Sequence, residues 1–257
     1  MTDTILVREA DGVGVITLNR PAVRNALNSA MRAALAAALV DLGGRARVVV
    51  LTGAGPGFCA GQDLADRAPG GGADLEASLN AEYAPMLRAV RDCPVPVVAA
   101  VNGAAAGAGA NLALACDVVI AAESAVFLQA FGRIGLIPDA GGTWTLPRLV
   151  GPARAMGAML LAEPVPARQA ADWGMIWEAV PDEAFAARWQ ALAARIAAGP
   201  PAAQARLKAA LRATWDNGFD AQMALEARLQ GECGRTADFA EGVAAFRGKR
   251  PARFRGN

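Results

Sequence analysis

Apolar positions in the first two-thirds of the chain come in short blocks separated by turn residues. In the last third they recur at helical spacing. Residues 5–9 and 13–18 flank Asp11-Gly12 and predict two strands joined as a hairpin. Asn28 or Ser29 is placed to cap a helix over residues 30–42, with Gly43-Gly44 as its stop. Residues 48–51 and 95–101 are unbroken apolar runs, the pattern of strands buried on both faces. Helices are expected over residues 79–91, from Gly151-Pro152 onward and over 167–173, with a last strand over 175–180. Beyond Asp182 the pattern is helical alone, over residues 182–198, 202–215, 219–229 and 236–246. The expected class is therefore α/β with a helical C-terminal part, divided into residues 1–198 and 199–257. The Gly- and Pro-containing stretch at residues 65–74 reads as a mobile surface loop.

Between residues 94 and 144 the pattern changes character. The apolar run is followed by residues 103–110, none larger than Ala, and then by Asn-Leu-Ala-Leu-Ala-Cys, which reads as a helix. Small residues between a strand and a helix let a ligand approach the backbone. The helix start offers N–H groups without an intrahelical acceptor. The same strand-to-turn pattern occurs earlier, where residues 48–51 lead to Cys59-Ala60-Gly61. If the two strands are neighbours, the N–H groups of Ala60 and Ala108 converge on one oxygen as an oxyanion hole. Two ordinary tight turns would account for the local sequence equally. Neither Gly-rich turn fits a nucleotide site. Gly107-Ala-Gly109 has Leu112 at the third glycine position, and the turn at 53–61 lacks the Lys-Ser/Thr of a phosphate loop.

Composition narrows the chemistry. The 257 residues include no histidine. That excludes Ser-His-Asp and Cys-His catalysis and histidine metal sites, and leaves acid–base work to a carboxylate, the single Tyr, a Cys or a Lys. Asp139 stands alone in the otherwise uncharged run 134–145, among Phe131, Ile134, Leu136, Ile137 and Trp144. It reads as a turn or N-cap aspartate, or as a carboxylate whose apolar surroundings raise its pKa toward working pH. The 25 basic and 24 acidic residues nearly cancel, so neither nucleic acid nor an anionic membrane is expected as a partner. No run has the length of a transmembrane helix, no signal peptide is expected before Ile5, and four cysteines without CxxC spacing fit a reducing cytoplasm. Arg24 lies in a polar turn that could meet a phosphate or simply solvent. Gln129 reads as a polar spoke in a half-buried strand.

Four stretches together resemble the crotonase (enoyl-CoA hydratase/isomerase) superfamily over nearly the whole chain. They are Asn19-Arg20-Pro21 with Asn25-Ala26-Leu27-Asn28, then Gly57-Phe58-Cys59-Ala60-Gly61-Gln62-Asp63-Leu64, residues 94–117, and Gly135 to Thr143. The resemblance implies a spiral of ββα units with a helical C-terminal region that covers the site and forms a homotrimer or dimer of trimers. It implies an acyl-CoA thioester substrate whose enolate is held by the amides of Ala60 and Ala108. It places coenzyme A over Arg24, Ala26, Ala60, Gly61, Gln62, Asp63, Leu64 and Lys249. No metal or separate cofactor is implied, coenzyme A being part of the substrate. The two glutamates of the family's hydratases are replaced by Asn111 and Phe131. Asp139 instead occupies a position where some isomerases, and a dehalogenase, carry the catalytic Asp. The runs are most similar to the branch acting in phenylacetate breakdown, as is the terminal pattern Glu241-Gly242-Val243…Phe246…Lys249-Arg250. That branch isomerises a ring 1,2-epoxide of phenylacetyl-CoA to an oxepin and shifts 3-enoyl-CoA double bonds. Its chemistry would make Asp139 the acid/base. An inert acyl-CoA-binding subunit, or a nucleophilic Asp139, are the rival readings.

Overall fold

The computed structural model describes residues 3–66 and 74–256, so most of the expected loop at 65–74 lies outside the described residues. The chain begins with the hairpin β1 (Ile5–Ala10) and β2 (Val13–Leu18), then α1 (Ser29–Gly43), β3 (Val48–Gly53) and β4 (Gly57–Cys59). Next, α2 (Leu75–Ser78) passes through a π-helical turn, Leu79–Tyr83, into α3 (Ala84–Arg91). Then come β5 (Val97–Val101), β6 (Ala104–Ala106), α4 (Ala108–Leu114), β7 (Val118–Ala122) and β8 (Val126–Leu128). They are followed by α5 (Gly142–Val150), α6 (Pro152–Leu161), β9 (Val165–Pro166), α7 (Ala167–Asp172) and β10 (Glu178–Val180). Four helices complete the chain: α8 (Asp182–Ala197), α9 (Pro201–Ala213), α10 (Phe219–Gly234) and α11 (Ala237–Arg247).

The strands sort into two sheets. One has the order β1-β2-β3-β5-β7-β10, the other β4-β6-β8-β9. Three times the chain adds a strand to the large sheet, turns, adds a parallel strand to the small sheet and leaves through a helix. The pairs β3/β4, β5/β6 and β7/β8 mark these passes. This is the ββα spiral. Strands β3 and β5 pair directly, Val49 opposite Val97 and Thr52 opposite Ala100, so the turns beyond them are neighbours.

Both faces of the large sheet are covered. Leu51, Val97 and Ala99 face the main core with Leu35, Leu39 and Met86, while Val48, Val50 and Ile120 pack against Phe185 and Ala193 of α8. Burial on both sides is why β3 and β5 read as continuous apolar runs. The final strand is shorter than expected, Glu178–Val180 only. Five strands, β4, β6, β7, β8 and β9, were not anticipated.

The boundary near residue 198 falls between α8 and α9, and α9 is tied to the core. Buried Lys208 donates to the Val95 carbonyl at 2.6 Å and pairs with Asp117 at 2.5 Å; Arg212 holds the other Asp117 oxygen at 3.2 Å. Outward, the last three helices and the turn after α9 expose Leu207, Leu211, Trp215, Phe219, Met223, Phe239 and Phe246. Among the described residues no helix is long and apolar enough to cross a membrane.

Candidate active site

The site forms where the turn after β4 meets the start of α4. The close approach depends on two glycines. A Cβ on Gly109 would lie 2.3 Å from the Cys59 carbonyl oxygen, and one on Gly61 would lie 2.7 Å from that of Ala106. Gly61 also has φ of +90°, a conformation that costs other residues strain. The polar turn at residues 20–28 backs this arrangement. Asn25, wholly buried, donates from Nδ2 to the carbonyls of Ala54 and Gly57, both at 2.9 Å, and its Oδ1 accepts from the Arg20 N–H.

Peptide planarity decides which amides face the cavity. The Ala60 N–H donates to the Arg24 carbonyl at 2.9 Å. It is therefore committed to the backing loop, which corrects the expectation that it holds a ligand oxygen. Gly61 N–H lies at the Cys59 sulfur. The Gly61 carbonyl accepts from Leu27 N–H at 2.7 Å. In a trans peptide the next N–H points the opposite way, so the Gln62 amide is directed away from Leu27. It has no acceptor among the described residues. By the same rule the Gly107 carbonyl, accepting from Asn111 N–H at 3.1 Å, turns the Ala108 N–H out of the start of α4. A Cβ built on Gly61 would be 3.3 Å from Ala108 N, so these peptides are in contact. The pair of open amides is thus Gln62 and Ala108. No property of residues 60–62 alone reveals this, because it depends on which remote carbonyl takes each N–H.

Gln62, Leu64, Ala108, Phe131, Leu136 and Asp139 line one cavity of about 240 Å³. Apart from Gln62 and Arg133, Asp139 is the polar side chain of this lining. Its Oδ1 is buried without a hydrogen-bond partner among the described residues. Burial pushes the carboxyl up to about 6, against a smaller opposing pull from its own N–H. It does not cap a helix: α5 starts from Gly141 without a side-chain cap, and only the Asp139 carbonyl is engaged there, by Gly142 N–H at 2.8 Å.

The other expected residues divide. Gly61, Gln62 and Leu64 line the cavity along with Ala60. Asp63 does not; it pairs with Arg20 at 2.7 Å, and although burial opposes it, the guanidinium holds its carboxyl below the usual range. Arg24 lies in the left-handed region behind the turn, exposed, and Ala26 is buried beside it. Lys249 stands exposed just past α11 and is not part of the lining of this cavity. Cys59 and Cys116 are buried, and burial pushes the Cys59 thiol up to about 12, consistent with packing. Glu82 and Tyr83, which carried no sequence reading, both meet Arg32. Glu82 pairs with it at 2.5 Å and the Tyr83 ring centroid lies 4.7 Å from the guanidinium carbon. Phe131, Ile134 and Leu136, expected only as apolar neighbours of Asp139, form its wall.

Two open amides aimed into an apolar cavity, beside a carboxyl group titrating near 6, suit a carbonyl compound with an acidic adjacent C–H. The spiral that carries them is the crotonase fold. The chain belongs to the enoyl-CoA hydratase/isomerase family, whose model matches residues 8–257. It is 61% identical, over 98% of both chains, to a Rhodobacter capsulatus protein named "Probable enoyl-CoA hydratase". It is 48% identical, over the full length of both, to 1,2-epoxyphenylacetyl-CoA isomerase of Escherichia coli. Among solved structures, enoyl-CoA hydratase from Bacillus anthracis superposes with a TM-score of 0.92 at 34% identity, covering 99% of this chain and 100% of that one.

Proposed function

We propose that this enzyme is an acyl-CoA isomerase working through a thioester enolate. The supporting observation is the half-buried Asp139 carboxyl, whose Oδ1 is shielded and unpartnered, lining the same cavity as Gln62 and Ala108. The thioester oxygen sits between the two amides, each contributing about 3 kcal/mol once charge develops on it. Asp139 removes the proton next to the carbonyl and holds it. It then returns the proton two carbons along in a 3-enoyl-CoA, giving the 2-enoyl isomer. On a ring-1,2-epoxyphenylacetyl-CoA the same enolate assists opening to the oxepin. One carboxylate suffices, since the proton leaves and returns through the same group. The shift is redox-neutral and requires neither a metal nor a separate cofactor. Arg24 and Ala26, on the loop behind the turn, and Asp63, just past the turn and paired with Arg20 of that loop, lie along the proposed approach for coenzyme A. The exposed apolar residues of α9 to α11 support assembly as a trimer or a dimer of trimers.

The name of the Rhodobacter relative favours hydration as the second reading. Against it, Asn111 cannot ionise to activate a water, and Phe131 carries no acid. Incubation with 3-enoyl-CoA distinguishes them. Isomerisation raises the absorbance of the conjugated enoyl thioester, whereas a hydratase given 2-enoyl-CoA bleaches it. Absence of any rise with 3-enoyl-CoA, coupled with bleaching of 2-enoyl-CoA, would overturn the isomerase reading. An inert binding subunit would do neither.

A further inference from the structure

Asn111 lies one turn into α4, the helix whose first amide is Ala108, and is 1% exposed. Its Nδ2 donates to the main-chain carbonyl of Asp139 at 2.8 Å. Its Oδ1 accepts from Gln129 Nε2, also at 2.8 Å. Gln129, 5% exposed, follows β8 directly. The orientation of both amides is determined by the far end of this chain of bonds. A main-chain carbonyl can only accept, so Asn111 must present its NH₂ to Asp139 and its oxygen to Gln129. Gln129 must then present its own NH₂, which leaves its Oε1 buried without a partner. Contact is tight on the remaining side: a Cβ on Gly142 would lie 2.4 Å from Asn111 Nδ2.

We infer that Asn111 is a positioning residue that fastens Asp139 to the helix bearing the Ala108 amide, with Gln129 steadying the oxygen end of its side chain. The inference rests on Asp139 being the base. Through this clamp, one helix fixes both the oxygen of the thioester and the carboxylate that works on the adjacent carbon. The Asp139 carbonyl is held both by the Gly142 N–H of its own turn and by this 2.8 Å side-chain bond, and only the latter ties it to α4. The requirement is for an amide. A carboxylate at 111 would face the Asp139 carbonyl oxygen with no proton to offer. Position 111 therefore serves the carboxylate at 139 instead of supplying a second acid of its own.

The test is steady-state isomerisation of 3-enoyl-CoA, with thermal melts to verify folding. Asn111→Leu keeps the branched shape and removes both bonds. It is expected to lower kcat about 10- to 100-fold with KM within about twofold, since a misplacement near 1 Å is enough for such losses. Asn111→Asp keeps the bond from Gln129 and loses only the donor to Asp139; it is expected to lose kcat similarly, and carries the test if the Leu variant fails to fold. Gln129→Met removes the bond that steadies the Asn111 oxygen and is expected to cost about 3- to 10-fold. In the double variant Asn111→Leu/Gln129→Met the loss should equal that of Asn111→Leu alone, because the two act in series. Wild-type kcat in Asn111→Asp, a loss carried by KM, or multiplicative single effects would overturn the clamp. Asp139→Asn run alongside separates the two ideas. Turnover in that variant overturns the base assignment itself. An inactive Asp139→Asn beside fully active Asn111 variants overturns only the clamp.

Discussion

The two sheets are built from different materials for different ends. The centre of the six-stranded sheet is packed on both faces; Val48, Val49, Val50, Leu51, Val97 and Val98 are wholly buried. The four-stranded sheet uses strands of two or three residues, and the pair nearest the site, Gly57–Cys59 and Ala104–Ala106, carries Gly and Ala where the backbones approach. Bulk in the first excludes water and holds the fold. Absence of bulk in the second lets backbones approach closely enough to leave two amides aimed at one point. Stability and chemistry thus reside in adjacent layers, joined by turns three residues long or shorter at β3/β4 and β5/β6.

That division can be broken from the chemical side first. Asp139→Asn should lower kcat about 10³-fold, roughly 4 kcal/mol of barrier, in a steady-state isomerisation assay, while the fold by circular dichroism is unchanged. The same variant should melt higher than wild type at pH 8. The sign follows from the raised carboxyl. Because the native state holds its proton up to about 6 and the unfolded chain releases it near 3.8, wild-type stability falls as pH climbs through that window. The gain from Asn is therefore complete above pH 6 and vanishes below pH 4.

Next in size is Gly109→Ala. Its methyl would meet the Cys59 carbonyl and spread the two turns, so kcat should drop about 100-fold, the scale of one lost oxyanion donor. A variant with normal turnover would show that the close contact is not what aligns the amides. The large sheet should answer in the opposite way. Val50→Ala, facing α8, should cost about 2 kcal/mol in a urea titration and leave kcat within twofold. If turnover falls with it, the layers are not separable. Smallest is the pH effect on the native enzyme, where kcat/KM should rise about tenfold per unit below a midpoint near 6 and level off above. A midpoint near 4 would mean that the carboxyl of the free enzyme is solvated.

The same contrast explains what the sequence disclosed. Strands β2, β3 and β5 announce themselves because burial forces apolar runs upon them. Strands β4, β6, β8 and β9 are too short for any period to show, and β7 follows α4 with only three residues between, so its start is masked by the helix's own apolar residues. Asp139 was legible by elimination, in a chain without histidine and a run without other charge. Ala60 was a reasonable donor from its place in the turn. Only the Arg24 carbonyl, 36 positions earlier, shows that its hydrogen is already used. Asn111 could be read as a missing glutamate but not as a partner of residue 139, since that contact spans 28 positions and involves a main-chain atom.

The donors at 62 and 108 belong to the polypeptide and not to any side chain. Nineteen of the twenty amino acids would carry the same hydrogen at either place, and proline alone would erase it. Half of the proposed apparatus is therefore nearly invisible to point mutation, free to drift in side-chain identity while the electrostatics persist. The carboxylate at 139 has no such shelter. Over evolutionary time, changes of reaction in this scaffold should be written at positions such as 111, 131 and 139, while the carbonyl grip endures beneath them.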